Sequence, residues 1–586
     1  MGRLLYYVWK FAPELIGFRM ILLLFSVTTN IMVHVSMIKI VVDGISAQRP
    51  FFDVAIYILI SGLVVLVSGI LDNVFKNYLN TIGKLKIHKG VHTIIFNKVH
   101  QIDLENYDNA NFYDDYIWAL EKSDTEIINS YENIYKLILR IVNASVLLSI
   151  TLIYDRLLLL FVIIPVVIIL FAGGYLSRLQ YEYEQEVNVI QRRKNYARRV
   201  FYLKEYAKEL KMYSIGQVLL NCFRNSVDEN EKVYKRFAFR FVTLGVVTES
   251  ATSIFGLILL CLYMAFRAIV QGVYTAGTAA AMLNAVNNLA GSVSEIFALI
   301  PKLKRNSIFA EKIFKVIDYE SRIEGFISEK PVDAVFERIS LKNVSFSYPG
   351  STVKTINDVS LSLRKGEKIA IVGINGAGKT TLIKLIMRYY DPQTGSINYN
   401  GTDIKELTTK NYRQHFASIF QDFQIYAVSL AENVAMNFVE DNHEESIRKA
   451  LENSQLGQLK NDLNINMTKE FDQKGMNLSG GQRQKIAIAR ALYRDSDIII
   501  MDEASSALDP ISEVEINKTI IEQLHDKSMI IISHRLSTIK HVDKIYFMEN
   551  GEIVESGSHE ELMNLNGKYA KMFMIQAEQY HIEEAS

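Results

Sequence analysis

The chain has 586 residues, more than one compact hydrophobic core usually supports, so at least two domains are expected. Its 64 basic and 64 acidic residues cancel, which gives no electrostatic reason to expect a nucleic-acid partner, and we expect none. The two cysteines exclude a disulfide framework and suit a reducing compartment or a membrane interior.

Residues 1–19 mix basic residues with aromatic and leucine side chains. They lack a small-residue cleavage site, so we expect no cleaved signal peptide. The pattern is typical of a basic helix that lies in the interface of a lipid bilayer.

Six stretches of roughly 20 mainly apolar residues follow, each long enough to cross a bilayer. They are residues 20–42, 54–75, 137–154, 157–176, 241–270 and 275–300. The long connections, 76–136 and 177–240, are rich in Lys and Arg. The positive-inside rule places both connections and both termini in the cytoplasm, which predicts a multi-pass protein of the cell membrane.

The long connections contain no proline and predict helices that continue well beyond the bilayer. Each contains a candidate contact for the second half of the chain, near residues 109–118 and near residues 203–212. The alternative for each segment is an ordinary solvated helix.

The last apolar stretch carries polar residues at helical spacing on one face: Asn284, Asn287, Asn288 and Glu295. Another carboxylate, Glu249, lies early in the fifth stretch. Ionisable groups inside a membrane usually face a wet cavity or a partner. These residues form either a substrate-facing cavity wall or polar contacts between helices. Glu249 and Glu295 are the stronger cavity candidates, and two carboxylates would favour a cationic group on the substrate.

A mixed-charge linker at residues 319–335 separates the apolar half from a globular half. Residues 339–346 and 359–363 alternate as strands, which is typical of an antiparallel β subdomain. Asn-Gly pairs at residues 400–401 and 550–551 predict tight hairpin turns.

The clearest motif is Gly-Ile-Asn-Gly-Ala-Gly-Lys-Thr at residues 373–380, between a predicted strand (368–372) and a predicted helix (379–390). This spacing predicts a phosphate-binding loop for ATP. Its glycines let backbone amides turn toward the phosphates, while Lys379 reaches the terminal phosphates and Thr380 ligates Mg²⁺. The other predicted cofactor-binding residues of the loop are Gly373, Asn375, Gly376, Gly378 and Thr381.

Further polar groups end predicted strands or begin a predicted helix. Residues 498–502 form an apolar strand that delivers Asp502, suited to Mg²⁺, and Glu503, suited to polarising the attacking water. The amide of Gln421, after the strand 417–420, would touch Mg²⁺ and water, and His534 would hydrogen-bond the terminal phosphate. A second backbone anion site opens the helix 483–493, with the residues Ser479, Gly480, Gly481 and Gln482.

With these motifs in order behind six apolar stretches, the chain resembles the ATP-binding cassette (ABC) transporters, specifically the bacterial exporter-type half-transporters. The resemblance covers essentially the whole chain. It implies a membrane all-α domain at residues 1–325, with six transmembrane helices, long cytoplasmic extensions and two coupling helices. An α/β ABC ATPase domain would follow at residues 326–586, with a phosphate-loop core, an antiparallel β subdomain and a helical subdomain.

The resemblance also implies roles that spacing does not show. Tyr348 would stack on adenine, and Asp509 would belong to a loop that communicates between two ATP sites. Two chains would close head to tail, so that residues 479–482 of one complete the ATP site of the other. One position departs from the family: Gln473 stands where exporters usually carry a glutamate, which puts the detail of cross-talk between the domains in doubt.

The expected function is therefore ATP-driven export of a peptide, lipid or drug-like amphiphile by alternating access of a dimer. Glu503, His534 and Gln421 are the expected catalytic residues. A homodimer is favoured and a heterodimer stays open. The alternative from another class is an ATP-gated channel or a regulatory membrane ATPase.

Overall fold

The structure, a computed structural model, describes residues 1–325, 328, 330, 332, 335–502, 526–533 and 539–575. The chain divides into two compact units. The first contains Met1–Phe96 and Asp115–Ile317, and the second contains Asn97–Asp114 and Asp318–Ser586. A short piece of the first half of the chain therefore belongs to the second unit.

The first unit and the inserted piece are helical. Their helices, in chain order, are α1 (Gly2–Phe11), α2 (Pro13–Ser46), α3 (Phe51–Val99), α4 (Glu105–Asp108), α5 (Ala110–Tyr154), α6 (Arg156–Tyr202), α7 (Ala207–Met212), α8 (Ile215–Ser253, continued by further helical turns to Val270) and α9 (Ala276–Ile317). The six predicted apolar stretches lie within these helices, except that the sixth begins one residue before α9, and the long helices extend beyond the predicted stretches as expected.

Among the described residues, four helices are long and apolar enough to cross a membrane, and they are α2, α3, the part of α5 from Phe112, and α6. The last turns of α8 form a shorter apolar helix, Leu260–Val270. Helix α9 is long, but its four asparagines and its charged residues lower its mean hydropathy. Polar residues on a helix of this length fit a position beside other helices better than one facing lipid on all sides.

Apolar side chains of the first unit separate into outward and inward sets. On α3 they are largely exposed, with Leu59 72% and Leu63 62% exposed. Such a surface suits hydrocarbon and would be unfavourable in water. The inward set packs α2, α5, α6 and α9 around buried residues such as Val35, Leu147 and Leu289.

The second unit contains two sheets. Its elements are β1 (Arg338–Phe346), β2 (Ile356–Arg364), β3 (Lys368–Gly373), α10 (Lys379–Ile386), β4 (Thr394–Tyr399), β5 (Thr402–Asp403), α11 (Thr409–Arg413), β6 (Phe416–Ile419), α12 (Leu430–Ala435), α13 (Glu444–Asn453), α14 (Gly480–Arg494), β7 (Ile498–Asp502), β8 (Ser528–Ile532), β9 (Lys544–Glu549), β10 (Glu552–Gly557) and α15 (His559–Leu565).

Strand order fixes where functional groups meet. The first sheet is antiparallel in the order β2-β1-β4-β5, and the second has the order β10-β9-β3-β8-β7-β6. Strands β9, β3, β8, β7 and β6 run parallel. Their carboxyl ends therefore share one edge, where open α/β sheets place their ligands.

Both predicted Asn-Gly turns are present. Asn400 and Gly401 join β4 to β5, and Asn550 and Gly551 join β9 to β10. All four residues have positive φ angles, between 48° and 89°. This geometry matches the twist of a two-residue hairpin and explains the residue choice.

A continuous core lies between the two sheets and includes Phe336, Ile371 and Tyr399. A separate cluster of leucines and other apolar residues joins α12, α13 and α14 into a helical subdomain. The described part of the second unit thus contains the three subdomains that the resemblance implied.

Candidate functional site

The phosphate loop begins where β3 ends, and its first glycine has no room for a side chain. Gly373 has a φ of +149°, and a Cβ added there would lie 2.1 Å from the carbonyl oxygen of Met548. Gly376 and Gly378 follow with φ angles of +81° and +99°, which favour glycine. The loop therefore curls tightly and then enters α10.

Lys379, the first residue of α10, is folded back into this curl. Its ammonium group donates hydrogen bonds to the carbonyl oxygens of Gly373 at 2.8 Å and Ile374 at 3.1 Å. The side chain is buried, whereas Asn375 and Gly376 are exposed. The cation is thus held inside the loop at the amino end of a helix, a combination that binds anions.

The strand β7 brings a carboxylate to the same edge. Thr380 donates a hydrogen bond from Oγ1 to Oδ2 of Asp502 at 3.2 Å, although 122 residues separate them. Asp502 is only 2% exposed. A hydroxyl and a buried carboxylate side by side are oxygen ligands of the kind that Mg²⁺ takes in nucleotide sites. These two residues therefore fit the predicted ion.

Gln421, the other predicted Mg²⁺ contact, lies in an exposed turn just after β6. Because β6 neighbours β7 in the parallel sheet, its position is at the same edge as Asp502. Its contact with an ion stays a prediction.

Tyr348 lies beside the phosphate helix. Its hydroxyl is 3.1 Å from Oγ1 of Thr381, the residue after Thr380. Its ring packs edge-on against Phe346 and Tyr390, with ring centroids 5.1 Å and 5.4 Å away. This places an aromatic side chain close to the loop, as nucleotide stacking would require; the stacking itself remains an expectation.

The segment from Ser479 to Gln482 forms the start of α14. The Ser479 hydroxyl accepts a hydrogen bond from the Gln482 amide at 3.3 Å, and the Gln482 side chain accepts one from the Ser479 amide at 3.0 Å. This reciprocal pair is a capping box, which stabilises the helix start. Ser479 and Gly480 are exposed, so their surface is available to an outside group.

Three predicted residues, Glu503, Asp509 and His534, lie outside the described residues. Gln473 is described and exposed, in a turn where the amide of Gly475 donates to the carbonyl oxygen of Asp472 at 2.9 Å.

Known proteins resemble both the second unit and the chain as a whole. The ABC transporter family matches residues 356–506. The subtilin transport ATP-binding protein SpaT of Bacillus subtilis is 28% identical over 574 residues, which cover 94% of this chain and 90% of that protein. Residues 356–506 therefore form an ABC transporter domain, and the chain as a whole is similar to an ABC exporter protein.

Other relatives align with this chain over fewer residues than SpaT does. The ATP-dependent lipid A-core flippase of Methylobacillus flagellatus is 34% identical over 305 residues, and that of Desulfotalea psychrophila is 36% identical over 308. These alignments span about half of each flippase, 52% and 53% of their lengths.

A solved structure of a bacterial Atm1-family ABC exporter with ATP bound has a TM-score of 0.77 to this chain, at 20% identity, and covers 96% of it. The likeness confirms the predicted fold class, a helical membrane part followed by an ABC ATPase domain. The apolar helices and the relatives together indicate a multi-pass membrane protein.

The chain also has a buried carboxylate that sequence reasoning missed. Asp103, in the inserted piece Asn97–Asp114, is fully buried. It accepts hydrogen bonds from the hydroxyls of Tyr319 (2.6 Å) and Ser321 (2.5 Å) and from three backbone amides at residues 322–324 (2.9–3.1 Å). The hydrogen-bond donors lie more than 200 residues later in the sequence. The only local signal of a buried carboxylate was that Asp103 stands between two apolar residues, Ile102 and Leu104.

Burial alone would disfavour the charged form of Asp103. The hydrogen bonds from Ser321, Tyr319 and the backbone outweigh that effect and lower the pKa of its carboxyl. Burial and the nearby carboxylate raise the pKa of Tyr319, which therefore stays a neutral donor. Asp103 is thus an ionised anchor for the chain that enters the ATPase domain.

The adjoining short helix α4 makes a second attachment. Tyr390, at the end of the phosphate helix region, donates a hydrogen bond from its hydroxyl to Oδ2 of Asp108 at 2.6 Å. Burial and this bond raise the pKa of Tyr390. Leu104 also packs against the core between the two sheets. The segment is therefore built into the ATPase domain near the nucleotide site.

The first predicted contact segment, 109–118, directly follows this short helix, and its Phe112 packs edge-on against the ring of Tyr319, with centroids 5.4 Å apart. The short helix that contacts the ATPase domain is Glu105–Asp108, and Asn109 already caps α5, its Oδ1 lying 3.4 Å from the Phe112 amide that donates to it. The second predicted segment, 203–212, is a separate pair of short helical turns, Lys204–Tyr206 and Ala207–Met212, between α6 and α8.

A cavity of 810 Å³ lies within the first unit, between α2, α3, α5 and α9. Glu295 lines it and accepts hydrogen bonds from Arg140, one of them 3.0 Å long. Asn287 and Glu295 are exposed on one face of α9, while Asn284 donates to the carbonyl oxygen of Ala280 at 3.2 Å. Glu249 is exposed on α8 and does not line this cavity.

Proposed function

We propose that this chain exports an amphiphilic substrate across the cell membrane, driven by ATP, through alternating access of a dimer. The observation that carries the proposal is the meeting of Lys379, Thr380 and Asp502 at one sheet edge, in a chain that also has helices able to cross a membrane. The likeness to a subtilin transport protein over 90% of that protein's length supports the same function.

In this mechanism the loop amides and Lys379 bind the ATP phosphates. Thr380 and Asp502 would hold Mg²⁺, which would supply positive charge against the phosphate oxygens. Glu503 polarises the attacking water, and Gln421 and His534 position the water and the terminal phosphate. These three roles come from the sequence motifs.

We propose a dimer because Ser479 and Gly480, at the amino-terminal end of α14, are exposed and could contact a second chain. A second chain would bring this surface onto the phosphates bound by its partner, so that ATP joins the two domains. Moving an equilibrium from 1:99 to 99:1 takes about 5.5 kcal/mol, which two buried nucleotides can supply. A homodimer is the simpler assembly, and a heterodimer is the alternative that the experiment below tests.

We place the long basic connections and both termini in the cytoplasm, since ATP is available there. Asp103 and α4 then carry motion of the ATPase domain to helices α3 and α5, because their segment joins those two helices.

ATP hydrolysis by the purified chain, reconstituted alone in lipid, tests this function. We expect basal activity that Glu503→Gln abolishes while ATP binding is kept. Equal hydrolysis by the two proteins would contradict the role of Glu503. Activity that appears only after a partner chain is added would establish the heterodimer. ATP-dependent uptake of a stimulating substrate into inside-out vesicles would then separate export from gating, whereas a large ATP-dependent conductance would favour a channel.

The cavity supports a substrate charge opposite to the one first expected. Its lining carries five cations and two carboxylates: Arg19, Lys76, Lys136, Arg140, Lys302, Asp72 and Glu295. Asp72 pairs with Lys76 at 2.6 Å, and Glu295 pairs with Arg140. Because both carboxylates are already paired with cations, the net charge favours an anionic group on the amphiphile.

Stimulation of ATP hydrolysis by matched anionic and cationic amphiphiles tests this charge preference. We expect the anionic compound to stimulate hydrolysis at a lower concentration than the cationic one. The double variant Lys136→Gln with Lys302→Gln should raise the required concentration of the anionic compound about tenfold or more, which corresponds to a loss of roughly 1.4 kcal/mol of binding free energy. Glu295→Gln is the matched control on the same cavity. If the cationic amphiphile stimulates better, and Glu295→Gln abolishes that preference, the first expectation of a cationic group on the substrate would hold instead.

A further inference from the structure

Two histidines and a carboxylate, none of which lines the cavity, cluster in the first unit. His88 and His92 lie one turn apart on α3, and Asp124 faces them from α5. Nδ1 of His88 is 2.8 Å from Oδ2 of Asp124, and Nε2 of His92 is 3.8 Å from Oδ1. The ligand atoms all lie within 4.8 Å of one another.

These separations are close to those of a tetrahedral metal site. Zn²⁺ binds histidine nitrogen and carboxylate oxygen at about 2.0–2.2 Å, which puts tetrahedral ligand atoms roughly 3.4 Å apart. The two histidine–carboxylate separations, 2.8 Å to Oδ2 and 3.8 Å to Oδ1 of Asp124, lie on either side of that value. Since the ligand atoms of the three residues lie within 4.8 Å of one another, rotation of side chains by up to about an ångström would bring them to zinc-binding distances.

The surroundings leave a ligand atom available and a route for the ion. Nε2 of His92 is buried and makes no hydrogen bond within the described part of the chain. Its ring packs between those of His88 and Phe96, with centroids 4.2 Å and 5.6 Å away. The His88 side chain is 57% exposed, so solvent reaches the cluster from that side.

We propose that His88, His92 and Asp124 bind Zn²⁺, with water as the fourth ligand. Two imidazoles and one carboxylate favour zinc over magnesium or calcium, which prefer oxygen ligands alone. The ion would link α3 to α5 close to the segment Asn97–Asp114, which contains the end of α3 and the beginning of α5. Zinc would therefore hold the two arms of the segment that carries Asp103 at a fixed separation.

Equilibrium dialysis of the full chain in detergent, without an affinity tag and against buffered Zn²⁺, tests the site. We expect one Zn²⁺ per chain. The double variant His88→Gln with His92→Gln should bind at least about a hundredfold more weakly, since losing even an outer-shell partner costs roughly 10–100-fold. The matched control is His100→Gln, an exposed histidine nearby in sequence, which should bind as the wild type does.

A second measurement separates metal binding from a simple His–Asp hydrogen bond. Zn²⁺ should raise the melting temperature of the wild type and of His100→Gln but not of the double variant, because a ligand stabilises only the state that binds it. Similar ATP hydrolysis by all three proteins in buffer that contains Mg²⁺ but no Zn²⁺ would verify that they are folded. Equal zinc affinity in wild type and double variant, or no stoichiometric binding to the wild type, would overturn the proposal.

Discussion

Removing the Asp103 carboxylate should detach the piece of chain between α9 and β1 from the inserted segment. Asp103→Ala leaves three backbone amides, at residues 322–324, without their acceptor. The Ile323 amide is buried and the amides of residues 322 and 324 are partly buried. Because a hydrogen bond to a charged group contributes about 1.5–3 kcal/mol and partial exposure reduces this, we take about 3 kcal/mol for the loss of all three. That energy corresponds to a roughly hundredfold increase in local opening.

Hydrogen exchange measures this opening amide by amide. We expect the amides at residues 322–324 to exchange roughly a hundredfold faster in Asp103→Ala. Asp114→Ala is the matched control, because Asp114 is exposed in the same inserted segment. Unchanged protection at residues 322–324 in a folded Asp103→Ala protein would refute the anchor.

The anchor also has a defined pH dependence. Because the pKa of Asp103 is lowered in the folded chain, its contribution is complete above the ordinary aspartate pKa of about 3.9. It is lost only as the pH falls through the lowered value. Protection at residues 322–324 should therefore be the same at pH 5 and pH 7, after correction for intrinsic exchange.

Three further substitutions test the ATPase domain. Gly373→Ala should cost about 1–3 kcal/mol or more and lower the melting temperature, because its Cβ would meet the carbonyl of Met548; an unchanged melting temperature would contradict the strain. Lys379→Met should weaken ATP binding by roughly tenfold or more in a fluorescent-nucleotide titration, through loss of charge-assisted bonds. Tyr390→Phe should raise exchange at residues 105–108 by loss of the bond to Asp108, worth about 1.5–3 kcal/mol; protection equal to wild type would argue against that attachment.

Local patterns predicted the strands and the helix around the candidate nucleotide site well. The strand ending at Gly373, the helix beginning at Lys379 and the strand ending at Asp502 lie where the sequence placed them, within a residue or two. Each depends on neighbours in the chain: a run of apolar residues, a glycine with positive φ, and a helix start. The pairing of Thr380 with Asp502 followed because parallel strands end at one edge.

What the sequence did not predict depends on distant partners. The donors to Asp103 come from residues 319–324, and the partner of Asp108 is Tyr390, 282 residues away. No local spacing reports such contacts, so the short helix Glu105–Asp108 was not part of the predicted contact segment. The pairing of Glu295 with Arg140 was not predicted for the same reason, since Arg140 lies on another helix.

The burial of Asp103 has a consequence for how the chain folds as it is synthesised. The carboxylate leaves the ribosome 216 residues before Tyr319. Leu104 packs against the core between the two sheets, whose buried residues begin at Phe336 in the sequence, so this contact also forms only after those residues have been synthesised. Contacts at such separation form late, because the long intervening loop must first be closed. The membrane helices between them must therefore be in place before the ATPase domain can be completed.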